Sequence, residues 1–217
     1  MVKKIVFYGA MAVVFVLCGF KTYERNAVWK NDITLFTNDV NIVPNSVLAN
    51  GNAGARYIDL SDKPENKAKE KEFLDKGIAY LTKAVKTHTK YVNGYLNLGV
   101  AYYKLKEYEK AEMYWNEAKK TFPSNPSLRA FYPMLANVYL GKVMALGGQK
   151  DFAQALKYIE KAAVLDPQNP NIWYNLGGAY FTFQQYDKAR DAWSQTLKLN
   201  PNHQDARRGL EALGRGR

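Results

Sequence analysis

Residues 170–203, PNIWYNLGGAYFTFQQYDKARDAWSQTLKLNPNH, decide how this chain folds. Trp173, Leu176-Gly177 and Tyr180 are followed by Ala189, Trp193 and Pro201, the spacing W-x2-L-G-x2-Y, then A-x3-F, then P. Residues 92–125 repeat it with Tyr95, Leu98-Gly99, Tyr102, Ala111, Trp115, Ala118 and Pro123. A recurring period of this length marks a helix–turn–helix unit used several times. Each position has a physical task. Leu176 and Tyr180 lie four apart and share one face of the first helix. Gly177 and Ala189 are small and let the two helices approach, while Trp193 is large enough to fill the space between one hairpin and the next. Pro201 cannot continue the second helix. Core packing accounts for these positions, so function is to be sought elsewhere on the unit.

Two weaker copies complete the array. Ala155, Ile159, Ala162 and Pro167 precede Ala189, Trp193, Thr196 and Pro201 by one period and define the second helix of a third unit. Leu140-Gly141 and Met144 are read as its first helix, with a turn GGQKD two residues longer than in the clean copies. The preceding PSLRAFYP (126–133) has two readings, a turn leading into the helix with Pro133 in its first turn, or a longer helix kinked at Pro133. In the earliest unit, Gly77, Leu81 and Ala84 mark the second helix; Asn52-Ala53-Gly54 and Tyr57 mark the first. SDKPENKAKEK, inserted between them, is a solvated loop or an extra turn or two of the second helix. After Pro201, HQDARRGLEALGRGR suits a capping helix with Ala206, Leu210 and Leu213 inward and arginines outward.

These residues resemble the tetratricopeptide-repeat (TPR) family. The resemblance implies an all-α, TPR-type right-handed α-solenoid whose concave side binds another protein. The expected organisation is an anchor over 3–22, a junction helix over 23–45 and four hairpins within 46–203 (46–91, 92–125, 134–169, 170–203). A capping helix and basic tail follow over 204–217.

The anchor is read from Ile5–Phe20, IVFYGAMAVVFVLCGF, which carries no charge. At 1.5 Å per residue this run spans ~24 Å, short of the ~30 Å hydrocarbon core. Lys3, Lys4 and Lys21 are expected to snorkel and extend its reach, with Tyr8 and Tyr23 at the interface. A cleaved signal peptide is the competing reading, but no small-x-small site follows the run, and Leu17 before Cys18 does not suit a lipoprotein. The flanking charges, Lys3 and Lys4 against Lys21, Arg25 and Lys30, are balanced and do not decide orientation.

Arg25-Asn26-x2-Trp29, Leu35-Phe36 and Pro44-Asn45 are similar to the junction after the last span of membrane O-mannosyltransferase-like proteins that end in TPRs. In that family a polytopic glycosyltransferase body precedes the repeats, which face the lumen or periplasm. Only residues 20–60 carry this second resemblance. One span is seen here, and the multi-span body with its acidic catalytic loop has no counterpart, so transferase activity is expected to need a separate chain. As structure, residues 28–44 read as a degenerate half-repeat, with Phe36 and Pro44 in the places of the second-helix aromatic and terminal proline.

Composition narrows the chemistry. The net charge of +11 is spread along the chain, with no stripe of the kind nucleic-acid binding uses. The one cluster, Arg207, Arg208, Arg215 and Arg217, is a solvated capping face or a contact for phospholipid headgroups. The single cysteine lies in the apolar run, so the repeats hold no disulfide. His88 and His203 lack spaced His or Cys partners for a metal site. No phosphate loop, G-x-S-x-G or nucleophile–base set is present, and Glu107, Glu109, Glu112 and Glu117 alternate with lysines as a solvated face does. No catalytic residue, metal or cofactor is expected, and no nucleic-acid partner.

Binding is expected on the first helices. The position before Leu-Gly gives Asn52, Asn97 and Asn175, with Tyr139 in the third unit; Tyr103, Lys104, Lys142, Tyr174 and Phe181 lie beside them. An asparagine amide offers two donors and an acceptor to an extended peptide backbone. Lys104 and Lys142 are the residues able to clamp a terminal carboxylate, whereas Tyr103, Tyr174 and Phe181 favour an apolar helix or extended segment. The bland reading of those rings is packing between adjacent first helices. Two functions follow. One is a single-span TPR adaptor in a membrane complex, its repeats extracytoplasmic and its residues 3–22 in lipid; the other is the non-catalytic TPR half of a split protein O-mannosyltransferase-like glycosyltransferase.

Overall fold

The computed structural model describes residues 2–148 and 151–215, and among them every regular element is helical. Expectations resting on the side chains of Lys3, Lys4 and Arg215, and on Gln149, Lys150 and Arg217, lie outside the described residues. The chain divides into two compact units, Met1–Pro123 and Ser124–Arg217.

The first unit opens with α1 (Val2–Val28), α2 (Asp32–Ile42) and α3 (Val47–Ser61), followed by a 3-10 helix (Pro64–Lys69). Next come α4 (Glu70–Thr87), α5 (Val92–Lys104) and α6 (Tyr108–Thr121). Helix α1 is longer than the uncharged run because the helix continues through Lys21–Val28. Its stretch Val6–Asn26 is long and apolar enough to cross a bilayer, and its described side chains are exposed. Asn31 starts α2 with a reciprocal cap: its side chain accepts from the Thr34 N–H at 3.0 Å and the Thr34 hydroxyl accepts from its N–H at 3.3 Å. Phe36 of α2 and Tyr80 each pack against the buried Val40, Ala49 and Ala53.

Helices α3 and α4 meet at two glycines. A Cβ on Gly54 would lie 2.5 Å from Leu81 Cγ, and one on Gly77 3.0 Å from the Gly54 carbonyl. The insertion between them adds to the second helix: α4 starts seven residues before Gly77, whereas α6 starts three before Ala111, and the 3-10 helix takes up the rest. Ile58, Leu74, Leu81, Val85, Leu98 and Ala101 form one core across α3, α4 and α5.

The second unit holds α7 (Pro126–Gly148), α8 (Phe152–Leu165), α9 (Pro170–Thr182), α10 (Tyr186–Leu199) and α11 (Gln204–Arg215). Here the structure corrects the sequence reading. PSLRAFYP is no turn; it belongs to α7, with Pro133 inside the helix. The first-helix register also lies two residues from the expected one. The Asp151 N–H reaches the Leu146 carbonyl at 3.0 Å, as Glu107 reaches Tyr102 and Gln185 reaches Tyr180, each at 2.9 Å. All three hairpins therefore close over the same span, and the third turn carries no extra residues. Tyr139, Lys142, Val143 and Leu146 stand where Trp173, Leu176, Gly177 and Tyr180 stand in the clean copy. Burial agrees: Tyr139 is wholly buried and Met144 is 73% exposed, while a Cβ on Gly141 would meet nothing. The difference has a plain cause, since Leu140-Gly141 mimics the signature dipeptide on the wrong face.

In the clean hairpins the tryptophan performs the same task twice. Trp115 Nε1 donates to the Leu96 carbonyl and Trp193 Nε1 to the Tyr174 carbonyl, both at 3.1 Å. The indole lies over Gly99 or Gly177 so closely that a Cβ there would overlap it. Trp193 also touches the next helix, where a Cβ on Gly209 of α11 would sit 2.8 Å from its ring. Ala206 and Leu213 of α11 are buried and Leu210 packs against them, with Arg207 and Arg208 exposed, as a cap requires.

Candidate partner-binding surface

The eight residues singled out from sequence fall in both units, and each unit presents its own surface. In the first unit Asn52 of α3 is exposed, and Asn97, Tyr103 and Lys104 of α5 are half-buried. The Tyr103 ring packs on Tyr108 (5.5 Å) and Trp115 (5.9 Å). In the second unit Phe181 of α9 packs on Tyr186 (5.5 Å) and Trp193 (5.8 Å). These trios occupy equivalent positions, so each ring leans on the second helix of its own hairpin rather than between adjacent first helices. Phe181 and Tyr186 keep 43% and 46% exposure, which leaves an apolar surface at the end of that hairpin.

The polar members are more engaged than their sequence positions suggest. Lys104 contacts the Asp62 carboxylate at the end of α3. Partial burial lowers the Lys104 pKa, against the opposing pull of Asp59. Lys142 lies 4.7 Å over the Tyr158 ring and 5.5 Å over Tyr139, so it sits in an aromatic cage and not beside an asparagine. A carboxylate ligand would have to compete with Asp62 at Lys104. The Asn175 amide donates to the Asn171 carbonyl one turn back at 2.7 Å, leaving its oxygen for a ligand. Tyr174 packs against the His203 ring at 4.7 Å. His203 is thereby explained as structure, since its Nδ1 also accepts from the Ala206 N–H at the start of α11.

A recurrence went unread in the sequence. Lys76, Lys110 and Lys188, each one residue before Gly77, Ala111 and Ala189, place their ammonium groups 5.7, 5.0 and 5.2 Å from the rings of Tyr57, Tyr102 and Tyr180. The signal was present as a lysine at fixed register. Tyr180 in addition donates to Glu160 at 2.9 Å, and burial together with that carboxylate pushes its pKa up to about 12.

A cavity of about 360 Å³ lies beside α2 and α3, its wall mostly apolar and lined by Ile33 and Leu60 together with Asn31, Asp32, Arg56, Asp59 and Lys63. Arg56 pairs there with Asp32 at 3.1 Å and Asp59 at 2.9 Å, so its charge is already balanced. Among the described residues no group of His, Cys, Asp or Glu has the arrangement of a metal site.

Tetratricopeptide-repeat family models match residues 92–125 and 148–213. The chain is thus a TPR protein, a class of protein-interaction scaffold. Human protein O-mannosyl-transferase TMTC3 is 24% identical over 233 residues, covering 89% of this chain and 24% of that protein. The Drosophila melanogaster protein O-mannosyl-transferase Tmtc3 is 28% identical over 115 residues, 53% of this chain and 11% of its own. A TPR repeat-containing protein of Methanocaldococcus jannaschii is 25% identical over 119 residues, 55% and 21%. The chain spans about a quarter or less of the length of these relatives. Among solved structures, MamA is similar at TM-score 0.37 with 19% identity over 71% of this chain and 84% of that one. YrrB, described as a TPR protein with an unusual peptide-binding site, is similar at TM-score 0.34 with 17% identity, over 81% and 97%.

Proposed function

We propose that this chain is a membrane-anchored, non-catalytic TPR scaffold that binds partner polypeptides of a membrane complex. The observation that carries the reading is the pair of clean hairpins, which present Asn97 with Tyr103 and Asn175 with Phe181 at the same register. Asparagine at these positions is not demanded by packing, and its amide suits a peptide backbone. Asn97→Ala combined with Asn175→Ala should leave the helical content unchanged and weaken partner recovery, each lost hydrogen bond costing ~0.5–1.5 kcal/mol. Affinity purification of the chain from membranes in mild detergent, followed by mass spectrometry, reads this out. Undiminished recovery of every partner would sink the asparagine-surface reading.

Helix α1 is the proposed anchor, with the repeats on the extracytoplasmic side. The side is argued from the Arg25-Asn26-x2-Trp29 resemblance alone. A cysteine at Glu65, exposed in the 3-10 helix, tests it in a Cys18→Ser background. An impermeant thiol reagent is expected to label it from outside intact cells or protoplasts. Ser61 is unsuited to such a probe because it is buried and bonded to the Ile58 carbonyl.

A second reading is favoured by one observation, the 89% coverage of this chain by its match to TMTC3. In that reading the repeats belong to an O-mannosyltransferase-like system and present substrate or a transferase chain. Recovery of a polytopic glycosyltransferase in the same purification would select it over the general scaffold.

A further inference from the structure

The fourth hairpin lacks a ring that the other three possess. Three residues after the small residue of each second helix stand Tyr80, Tyr114 and Tyr158, and then Ala192. Each tyrosine stacks on a first-helix ring: Tyr80 on Tyr57 at 5.7 Å, Tyr158 on Tyr139 at 5.5 Å, and Tyr114 on both Tyr102 at 5.3 Å and Tyr95 at 6.5 Å. The counterparts of Tyr95 and Tyr102 in the fourth hairpin are Trp173 and Tyr180. Between them a cavity of about 450 Å³ opens, floored by Leu176 and Ala192 and edged by Lys188. Ala192, 3% exposed, lies along this opening where the other three hairpins carry a ring.

We infer that this recess takes an aromatic side chain of a partner polypeptide, seated as Tyr114 is seated in the second hairpin. The walls are already fixed for it. Trp173 Nε1 is bonded to the Pro167 carbonyl at 2.8 Å and the Tyr180 hydroxyl to Glu160 at 2.9 Å, so neither ring needs its polar edge satisfied by the occupant. Rings at 4.5–7 Å in offset or tilted geometry attract beyond their area burial, and a pocket of this size is in the range that holds a small ligand. Lys188, exposed and 5.2 Å from the Tyr180 ring, shares the rim with Asp191 and Gln195, so the rim is polar and carries one charge of each sign. An aliphatic side chain would gain burial without the stacking. The recess is separate from the asparagine surface, so the two proposals fail independently.

The test uses the 217-residue chain in lipid nanodiscs with its four tryptophans replaced biosynthetically by 5-fluorotryptophan and assigned by Trp→Phe variants. Acetyl-Gly-Tyr-Gly-amide is titrated while fluorine NMR is recorded, with acetyl-Gly-Leu-Gly-amide as the aliphatic control. The Trp173 resonance should move saturably with the tyrosine peptide, at an apparent affinity at least five-fold above the leucine peptide. Those of Trp29 and Trp115 should stay in place. Ala192→Tyr supplies the ring internally and should reduce the Trp173 response at least ten-fold; Ala192→Leu is the second blocking variant. A stationary Trp173 resonance in the wild type, or an equal response to both peptides, overturns the proposal whatever the variants do. A full response in a folded blocking variant overturns it as well.

Discussion

At the scale of single residues, the glycines beneath the tryptophans set the tightest constraint. Gly99 and Gly177 have no room for a Cβ because the indole that seals each hairpin occupies it. Gly99→Ala is expected to cost about 1–3 kcal/mol through overpacking, measured by chemical denaturation. Gly141→Ala should be neutral or slightly stabilising, since nothing lies near its Cβ position and alanine favours helix. Equal effects of the two would contradict the corrected register of the third hairpin. Tyr180 offers a titration. Its pKa near 12, against about 10 for an unfolded tyrosine, means that the folded state holds the proton longer. The stabilisation is complete below about pH 10 and is lost as pH rises towards 12. Ultraviolet difference titration of wild type against Tyr180→Phe should show one missing phenolate step at the alkaline end.

At the scale of elements, the turns of the second and fourth hairpins carry a shared strain. Lys106 has φ 62° and Gln184 φ 57°, the left-handed conformation that costs a residue with a Cβ about 1–2 kcal/mol relative to the right-handed one. Both follow the same closure: the Lys106 N–H reaches the Tyr103 carbonyl and the Gln184 N–H the Phe181 carbonyl, at 3.0 and 2.9 Å. Lys106→Gly and Gln184→Gly should each stabilise the fold, by up to ~1 kcal/mol once the greater freedom of unfolded glycine is set against the relief. A fall in thermal midpoint for both would mean that the side chains, and not the backbone, hold these turns. Both residues follow a first helix and precede a second, and neither is glycine, so the strain was not readable without backbone angles.

At the scale of the whole molecule, α1 stands apart from the rest in composition and exposure. Its described residues bury nothing, whereas every hairpin buries a continuous face. With α1 as the anchor proposed above, a chain lacking residues 1–28 should leave the membrane fraction and keep its helical circular dichroism, because the cores of both units are built from residues after Phe36. Persistence of the truncated chain in carbonate-washed membranes would show that another surface holds it there.

The hairpins, their aromatic and small residues, the terminal prolines and the apolar N-terminal run were legible because each rests on local periodicity and side-chain size, which a one-dimensional pattern records directly. Trp193, Ala189 and Gly177 could be placed from spacing alone. The third hairpin could not, since Leu140-Gly141 satisfies the local pattern and only the Asp151–Leu146 closure and the burial of Tyr139 reveal which face is inward. Likewise Lys104 and Lys142 looked like clamps in sequence because their partners, Asp62 and Tyr158, lie on other helices. The recess beside Ala192 shows the same division. An alanine in a helix is unremarked in sequence, and becomes an opening once the rings of Trp173 and Tyr180 stand on either side of it. Packing across helices fills or leaves volume according to all the side chains that converge on a point, and that sum is taken only in three dimensions.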